Sequence, residues 1–468
     1  MLNRFPIACS LAVVLSTSAA AQGKAGHDWT RFGWDATRSS TSLDPTGIDA
    51  ANAGSLHRQQ VTIDGTVDAS PIYLHDVRVN GASHDVFFVT TTYGKTLAID
   101  AASGKTLWRF VPSGYDGWAG SRQITNATPV ADPDRQFLYA ASPDGKIQKL
   151  AVADGHAVWS TAITKLPAVE KIASSLNYFR GNVIATTGGY IGDAPPYQGH
   201  VAIIDGASGR LLHVWNALCS DRHEMIDPSS CPESGAAIWG RAGAVIDTAS
   251  GSILVATGNG KWDGKTNWGD ATLELSPDAS RILGNYTPAN TDDLDEHDTD
   301  VGSTSPVLLS ASYLAQGGKD GKIALLDRKR IAGESAHRGG ETQTVSTSAA
   351  ARMFTAPAVV RGSAPTLVAS DKGSVAAWRL DGAQLAPAWQ LPRGATSPVI
   401  AGGLLYVYDP AGGLSIYSGE KFDHLVAKLD CGKGHWNSPI VVDGMIALPE
   451  GNANDHATSG ILDIWRLH

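Results

Sequence analysis

The sequence predicts an all-β fold, an eight-bladed β-propeller of four-stranded antiparallel blades. Three observations support this prediction: a repeat of about forty residues, turns rich in glycine, and the lack of long amphipathic helical patterns. Pro357, Pro398 and Pro439 open successive repeats and are spaced 41 residues apart. Four short strands with their turns fill such a repeat, which is the size of a propeller blade.

The stretch AIDAASGKTLWRF, residues 98–110, is typical of the repeat. It predicts the third and fourth strands of the first blade, joined by a turn in which Gly104 takes a positive φ without steric cost. Trp108 is expected to pack against the adjacent blade, because one four-stranded sheet cannot bury its own faces. Similar segments recur to give eight units, and residues 28–40 are predicted to add the strand that closes the ring.

The composition and the N-terminus limit the functional classes. A net charge of -9 disfavours nucleic-acid binding, which needs clustered Lys and Arg. Residues 1–21 read as a signal peptide, with Arg4, an apolar run from Ile7 to Leu15, and small residues before Gln22. No other apolar stretch has the length of a membrane span. We therefore expect a periplasmic or secreted protein in which residues 22–468 form a single propeller domain.

Three cysteines lie outside the predicted signal peptide, at positions 219, 231 and 431. Cys219 and Cys231 flank a short polar loop, and an export compartment permits a disulfide between them; the alternative is two free thiols. Cys431 is left unpaired. The sequence contains no C-x-x-C-H motif, so it provides no site for covalent haem.

Four long insertions are predicted to lie on one face of the ring. They follow either a second strand or a fourth strand, and these loops share a face because strand direction alternates within a blade. Long loops on a rigid scaffold usually carry function, the alternative being plain surface. The insertions are 188–199, 216–238, 261–270 and 284–302.

The blade pattern A-x-D-x-x-S/T-G-K-x-x-W resembles the tryptophan-docking motif of quinoprotein dehydrogenases, which hold pyrroloquinoline quinone (PQQ). Residues 31–56 are similar to the opening of the same family. Within it, the Cys219–Cys231 loop and the compact chain look most like the polyvinyl-alcohol dehydrogenase branch. The resemblance implies PQQ as cofactor and a small alcohol or polyol as substrate. It also implies a separate cytochrome or quinone as electron acceptor.

The resemblance assigns the cofactor site to two pairs of residues in blade 4. Trp239 and Gly240 match the family's Trp-Gly, whose indole forms the floor under the quinone. Gly258 and Asn259 match the Gly-Asn pair, whose Asn lies beside the metal. A flat tricyclic quinone needs a flat apolar surface, which Trp supplies. The alternative is that Trp239 is simply blade core.

The resemblance assigns the chemistry to Asp298 and Lys319. Asp298 matches the general base that removes the substrate's hydroxyl proton, with Asp300 the near alternative, and it would also ligate the metal. Lys319 matches the cation that touches the quinone carbonyl and stabilises charge on it. The alternatives are a solvated acidic run for Asp298 and a surface turn for Lys319.

Two departures from the family concern the metal and the cap of the quinone. Tyr190 stands where the family has a Glu ligand for calcium, and hard cations prefer carboxylates. Asp193 is a candidate substitute. The adjacent Cys pair that lies over the quinone is missing, and Trp118 is a candidate replacement. A divalent cation such as calcium would then rely on Asn259 and Asp298.

The sequence thus favours a periplasmic quinoprotein-like oxidoreductase that transfers hydride from an alcohol or polyol to PQQ. The alternative is a non-catalytic PQQ-like repeat propeller that acts as a binding scaffold in the cell envelope. A propeller hydrolase is a third hypothesis. It lacks support because Ser303, Thr304 and Ser305 have no His–acid pair nearby in the sequence.

Overall fold

The computed structural model describes residues 27–467, which form the predicted ring of eight four-stranded antiparallel blades. The predicted signal peptide, residues 1–21, lies outside the described residues. We number the blades 1–8 along the chain and the strands of each blade outward from the central channel. None of the described helices is long and apolar enough to span a membrane.

The first four blades are consecutive along the chain. Their strands are Ile72–Val79, Ala82–Thr90, Thr96–Asp100 and Thr106–Phe110 in blade 1; Val130–Ala131, Phe137–Ser142, Lys146–Ala151 and Ala157–Ala162 in blade 2; Asn177–Phe179, Asn182–Thr186, His200–Asp205 and Leu211–Asn216 in blade 3; and Val245–Ile246, Ile253–Ala256, Thr272–Leu275 and Ile282–Tyr286 in blade 4.

The last four blades follow the same order, except that the outer strand of blade 8 comes from the N-terminal part of the chain. The strands are Val307–Leu308, Tyr313–Gly317, Lys322–Asp327 and Gln343–Ser346 in blade 5; Ala358–Val360, Thr366–Ser370, Val375–Asp381 and Gln384–Leu391 in blade 6; Val399–Ala401, Leu404–Tyr408, Leu414–Ser418 and His424–Leu429 in blade 7; and Ile440–Val442, Met445–Glu450, Gly460–Arg466 and His57–Ile63 in blade 8.

A few short elements lie outside this pattern. Thr41–Ser42 pairs in parallel with the first strand of blade 7, and Glu170–Lys171 pairs with Gly188–Gly189. Within residues 27–467, helical structure is limited to one α-helix, Thr291–Glu296, and to the 3-10 helices Ala53–Ser55, Tyr115–Gly117, Pro228–Ser230, Val301–Ser303 and Ala453–Asp455.

The strand that closes the ring is His57–Ile63, so the prediction that residues 28–40 supply it is wrong. His57–Ile63 pairs residue for residue with the third strand of blade 8. Residues 28–40 cannot form a regular strand, because Gly33, Trp34, Arg38 and Ser40 all have a positive φ.

Residues 28–46 instead cross the end of the central channel. The carbonyls of Thr30, Ala36, Ser39 and Ser40 accept hydrogen bonds from backbone N–H groups in blades 2, 4, 6 and 7. Arg38 is buried and donates to the carbonyls of Phe32 and Leu176, the latter at 2.7 Å. This segment therefore closes one end of the channel and leaves the long-loop face as its open end.

Trp108 joins blade 1 to blade 2 as the sequence predicts. Its Nε1 donates to the carbonyl of Val152 at 2.8 Å. The Trp108 indole lies against Gly155, where φ is +75° and an added Cβ would come 2.5 Å from Trp108 Cε3. The turn glycine of one blade thus leaves room for the Trp of the preceding blade.

The long loops and the disulfide agree with the sequence analysis. Residues 188–199 and 261–270 follow the second strands of blades 3 and 4, while residues 216–238 and 284–302 lead into the next blade. Cys219 and Cys231 form the predicted disulfide, and Cys431 is free. The disulfide ties the loop between blades 3 and 4 at the long-loop face.

Candidate active site

A cavity of about 410 Å³ opens at the long-loop face, around the channel axis. Its wall comes from segments that precede the first strands of blades 3, 4, 5, 6 and 8, and from loops after the second strands of blades 3, 5 and 8. The lining residues are Lys171, Ala173, Gly189, Tyr190, Ile191, Gly192, Asp193, Tyr197, Ala237, Trp239, Asp298, Asp300, Lys319, Arg352, Phe354, His435, Trp436 and Asn454.

Trp239 is the centre of an aromatic cluster in this wall. Its ring centroid lies 5.8 Å from that of Trp436 and 6.1 Å from that of Phe354. Gly240 follows it, and an added Cβ there would lie 2.6 Å from the backbone of Thr304. Glycine is required because blade 4 passes this close to blade 5, which keeps the half-exposed indole in the cavity wall.

An ion-paired triad of Asp298, Asp300 and Lys319 lies beside the indole. The Lys319 Nζ is 2.6 Å from Asp298 Oδ1, contacts Asp300 Oδ2, and lies 5.5 Å from the Trp239 ring centroid. Burial acts to lower the pKa of Lys319, but Asp300 and Asp298 outweigh it, so the pKa is raised and the ammonium stays charged.

The two carboxylates of the triad differ in exposure. The Asp300 side chain is 10% exposed, and its Oδ1 accepts from the Asn259 backbone N–H at 2.8 Å. The Asp298 side chain is 68% exposed, and its Oδ2 has no partner among the described residues. Asp298 has a φ of +49°, a conformation that Asp tolerates better than most residues. Asp298 is therefore the carboxylate with a free oxygen at the cavity mouth.

Comparisons with known proteins show which families this chain is similar to. A family model described as outer membrane protein assembly factor BamB, with PQQ-like repeats, matches residues 62–225. The quinohemoprotein alcohol dehydrogenase ADH IIB of Pseudomonas putida is 25% identical over 358 residues, which cover 69% of this chain and 49% of the relative. The chain is similar to quinohemoprotein alcohol dehydrogenases. This confirms the family resemblance inferred from the repeats.

Two further relatives extend this comparison. A polyvinylalcohol dehydrogenase of Sphingopyxis is 22% identical over 212 residues, or 42% of this chain and 31% of the relative. The crystal structure of the quinohemoprotein alcohol dehydrogenase from Comamonas testosteroni matches with a TM-score of 0.66 at 16% identity, covering 94% of this chain and 80% of that one. The structural match supports the shared fold. The chain spans 49% of the length of the Pseudomonas putida relative and 31% of the length of the Sphingopyxis relative.

The quinoprotein pattern is only partly assembled in the cavity. Trp239, Asp298 and Lys319 line it, whereas Asn259 does not. The Asn259 amide N–H₂ group donates to Asp270 Oδ2 at 3.1 Å and to the carbonyl of Leu294 at 2.9 Å. Gly258 packs against Asp300 and the Trp239 indole. A Cβ added at this position would displace both side chains. The Gly-Asn pair thus shapes the loop that carries Asp300.

The residues predicted to hold a metal do not form a metal site together. Asn259 Oδ1 is buried without a partner, but Asp298 is paired with Lys319. Within residues 27–467, no three His, Cys, Asp or Glu side chains are grouped to hold a metal ion. The Lys319 ammonium lies between the two carboxylates that a hard cation would need, so the donor set does not fit calcium.

Tyr190 and Asp193 line the cavity but are held by protein partners. The Tyr190 hydroxyl donates to the carbonyl of Pro167 at 2.9 Å, and Asp193 Oδ1 accepts from the Tyr197 hydroxyl at 3.1 Å. Burial raises the pKa of Asp193. Trp118 does not line the cavity; it packs in a cluster with Tyr190, and so is not placed to cap a ligand.

Sequence reasoning missed the cationic part of the wall. Lys171 is buried, forms no ion pair among the described residues, and lines the cavity. Burial lowers its pKa to about 8. Arg352 also lines the cavity and forms no ion pair with any residue in the described part of the chain. Both residues precede a first strand, as Trp239 does, and this shared position in the repeat was the signal that could have identified them.

A buried network below the cavity holds Trp436. Arg241 is 1% exposed, donates to the carbonyls of Ala173, Asp68 and Asn126, and lies 5.1 Å from the Trp436 ring. Asp68 accepts from the Trp436 backbone N–H at 2.9 Å and pairs with His435 at 2.7 Å. The network fixes the aromatic wall from beneath.

Asp270 supports the loop of the triad and should make stability pH-dependent. Burial raises its pKa to about 8; the Val301 N–H opposes this, while Asp300 and Asp295 add to it. The folded state therefore keeps a proton that the unfolded chain releases above about pH 4, so stability falls as pH rises towards 8.

We expect Asp270→Asn to remove this slope, which is at most about 1.4 kcal/mol per pH unit. Urea unfolding at pH 5 and pH 8 measures it. Glu296→Gln, at an exposed position of the same loop, is the matched control and should keep the wild-type slope. An Asp270→Asn variant with the wild-type slope would contradict the assignment.

Proposed function

We propose that the chain is a quinoprotein oxidoreductase that oxidises an alcohol or polyol with PQQ as the hydride acceptor and Asp298 as the general base. The observation that carries the proposal is that Trp239, Asp298 and Lys319, from separate parts of the sequence, line one cavity. The relatives named above are alcohol dehydrogenases, which supports the reaction class.

The cavity fits a flat, anionic quinone. Its volume of about 410 Å³ lies within the usual range of small-molecule sites. The half-exposed Trp239 indole offers a flat surface, and the cations Lys171 and Arg352 have no ion-pair partners among residues 27–467. These cations would hold the carboxylates of PQQ, whose quinone ring accepts two electrons and a proton as hydride.

The side chains of the triad would divide the remaining work. Asp298 Oδ2 would accept the proton of the substrate's hydroxyl group. The hydride would leave the carbon that bears this hydroxyl, which gives a carbonyl product. Lys319 would hold Asp298 in place through their ion pair and stabilise negative charge on the cofactor's carbonyl oxygen. The proposed steps use no metal ion, because the side chains at this site do not form a donor set that fits one.

The proposal places the protein outside the cytoplasm, in the periplasm or secreted, as a single propeller domain over residues 22–468. The leader pattern of residues 1–21 and the Cys219–Cys231 disulfide support this location. With no C-x-x-C-H motif in the chain, electrons would pass from the reduced cofactor to a separate cytochrome or quinone.

The test is a titration of the protein with PQQ, followed by tryptophan fluorescence, in EDTA and in calcium. We expect quenching with the same affinity in both, and alcohol-dependent reduction of an artificial acceptor. Trp239→Ala should weaken binding about 10–100-fold, since stacking on an aromatic ring contributes on the order of 1–3 kcal/mol. Trp389→Phe, in the outer strand of blade 6, is the control.

The outcomes separate the hypotheses. Quenching that needs calcium would contradict the metal-free site. No quenching in either condition would overturn the enzyme and favour a binding scaffold in the cell envelope. That second candidate draws support from the match of residues 62–225 to the BamB family model.

A further inference from the structure

A second chamber of about 430 Å³ adjoins the cavity. The two share Arg352, Phe354, His435 and Trp436, so the aromatic rings and one guanidinium form a common wall. The remaining lining of the second chamber comes from blades 6 and 7, away from the triad. No residue assigned by the family resemblance lies in this chamber.

The cations of the second chamber lack partners. Arg352 and Lys372 form no ion pair with any described residue. Lys372 Nζ lies 5.5 Å from the Phe354 ring centroid, on the shared wall. Thr396 is buried in the lining, and its Oγ1 has no hydrogen-bond partner among the residues that the structure describes. Buried hydroxyls are normally paired, so this one has a donor available to a ligand.

The acidic residues of the chamber are already engaged. Asp371 Oδ1 accepts from the backbone N–H groups of Gly373 and Ser374, both at 2.7 Å, and its Oδ2 accepts from Thr347 and from the Ala351 N–H. These bonds lower the pKa of Asp371 although burial opposes them. Asp409 accepts from the Ala411 N–H and lies 3.8 Å from Arg393. The unsatisfied groups are therefore all able to donate to an anion.

We propose that the second chamber binds the carboxylate of the substrate, so that the enzyme prefers hydroxy acids over neutral alcohols of the same length. This rests on the proposed function, with the hydroxyl end of the substrate in the first cavity beside Asp298. Lys372 and Thr396 would donate to the carboxylate, and the Phe354 and Trp436 rings would contact the carbon chain between the two ends.

The experiment compares 4-hydroxybutyrate with 1,4-butanediol as substrates of the PQQ-loaded protein. We expect kcat/KM to be about tenfold higher for the hydroxy acid, as charge-assisted hydrogen bonds would give. Lys372→Gln and Thr396→Val should each remove much of that preference while leaving kcat/KM for butanediol unchanged. Lys322→Gln, an exposed lysine at the start of the third strand of blade 5, is the control.

Calorimetric titration of the PQQ-free protein with 4-hydroxybutyrate keeps this test apart from the proposed function. Binding that is weakened by Lys372→Gln would support the chamber even if PQQ does not bind. Equal kcat/KM for the two substrates, or binding that neither variant changes, would overturn the proposal while leaving the quinone site intact.

Discussion

Replacing Asp298 by Asn is expected to lower kcat for alcohol oxidation by about 10²–10⁴-fold, the usual contribution of a general base. The amide cannot accept the substrate's proton at Oδ2, the oxygen that has no protein partner. Fluorescence titration should show PQQ binding retained, because Trp239 and Lys171 are unchanged. The readout is steady-state reduction of an artificial acceptor at saturating PQQ.

The control for this variant is Glu296→Gln. Glu296 is an exposed carboxylate in the same acidic segment, and it does not line the cavity. The Glu296→Gln variant should keep wild-type activity if the position of Asp298 in the cavity matters more than the charge of the acidic segment. Equal activity of Asp298→Asn and wild type would refute Asp298 as the base, and a loss confined to Asp300→Asn would transfer the role to that neighbour.

Replacing Arg58 by Leu is expected to lower the free energy of unfolding by about 3 kcal/mol, because it leaves two carboxylates unpaired at the ring closure. Arg58 lies in the closing strand, where its Nε and Nη2 donate to Asp463 at 2.8 Å and its Nη2 also donates to Glu450 at 2.7 Å. The Asp463 side chain is fully buried. Chemical denaturation at pH 7 measures the loss.

The pH dependence of this loss has a definite sign. Burial raises the pKa of Asp463, and the hydrogen bonds from Arg58 oppose this. Without Arg58 the pKa rises further, so the folded state holds a proton that the unfolded chain releases above about pH 4. The free energy of unfolding that Arg58→Leu loses relative to wild type should therefore be larger at pH 8 than at pH 5.

Two variants make the ring-closure experiment specific. Asp463→Asn in the Arg58→Leu background should restore much of the stability, since it removes the buried charge. Arg109→Leu removes an exposed ion pair with Asp64 and should cost no more than about 1 kcal/mol. A similar loss for Arg58→Leu and Arg109→Leu would mean that the ring closure does not depend on this ion pair.

The blades could be predicted from the sequence because each one is a local unit. The 41-residue spacing of Pro357, Pro398 and Pro439 reflects strands and turns that are neighbours in the chain. Trp108 and its docking were predictable for the same reason, since the partner blade follows directly. The disulfide also joins two residues of one loop.

The closing strand and the channel plug could not be predicted in this way. His57–Ile63 has few buried positions of its own and becomes a strand by pairing with residues 460–466, some four hundred positions away. Residues 28–40 were predicted to close the ring, but their contacts reach blades 2, 4, 6 and 7. A sequence pattern does not contain such distant partners.

The sequence by itself determined the repeat, the number of blades and the face that carries the long loops, because these depend on contacts between chain neighbours. Through the family resemblance it also predicted a site at Trp239, Asp298 and Lys319, and these three side chains line one cavity. Only the tertiary structure decided that Lys171 and Arg352 join them, that Lys319 bridges the two carboxylates, and that Asn259 faces away. The reason is geometric: closing the ring brings side chains from five blades to one opening, and their mutual distances are fixed by that closure.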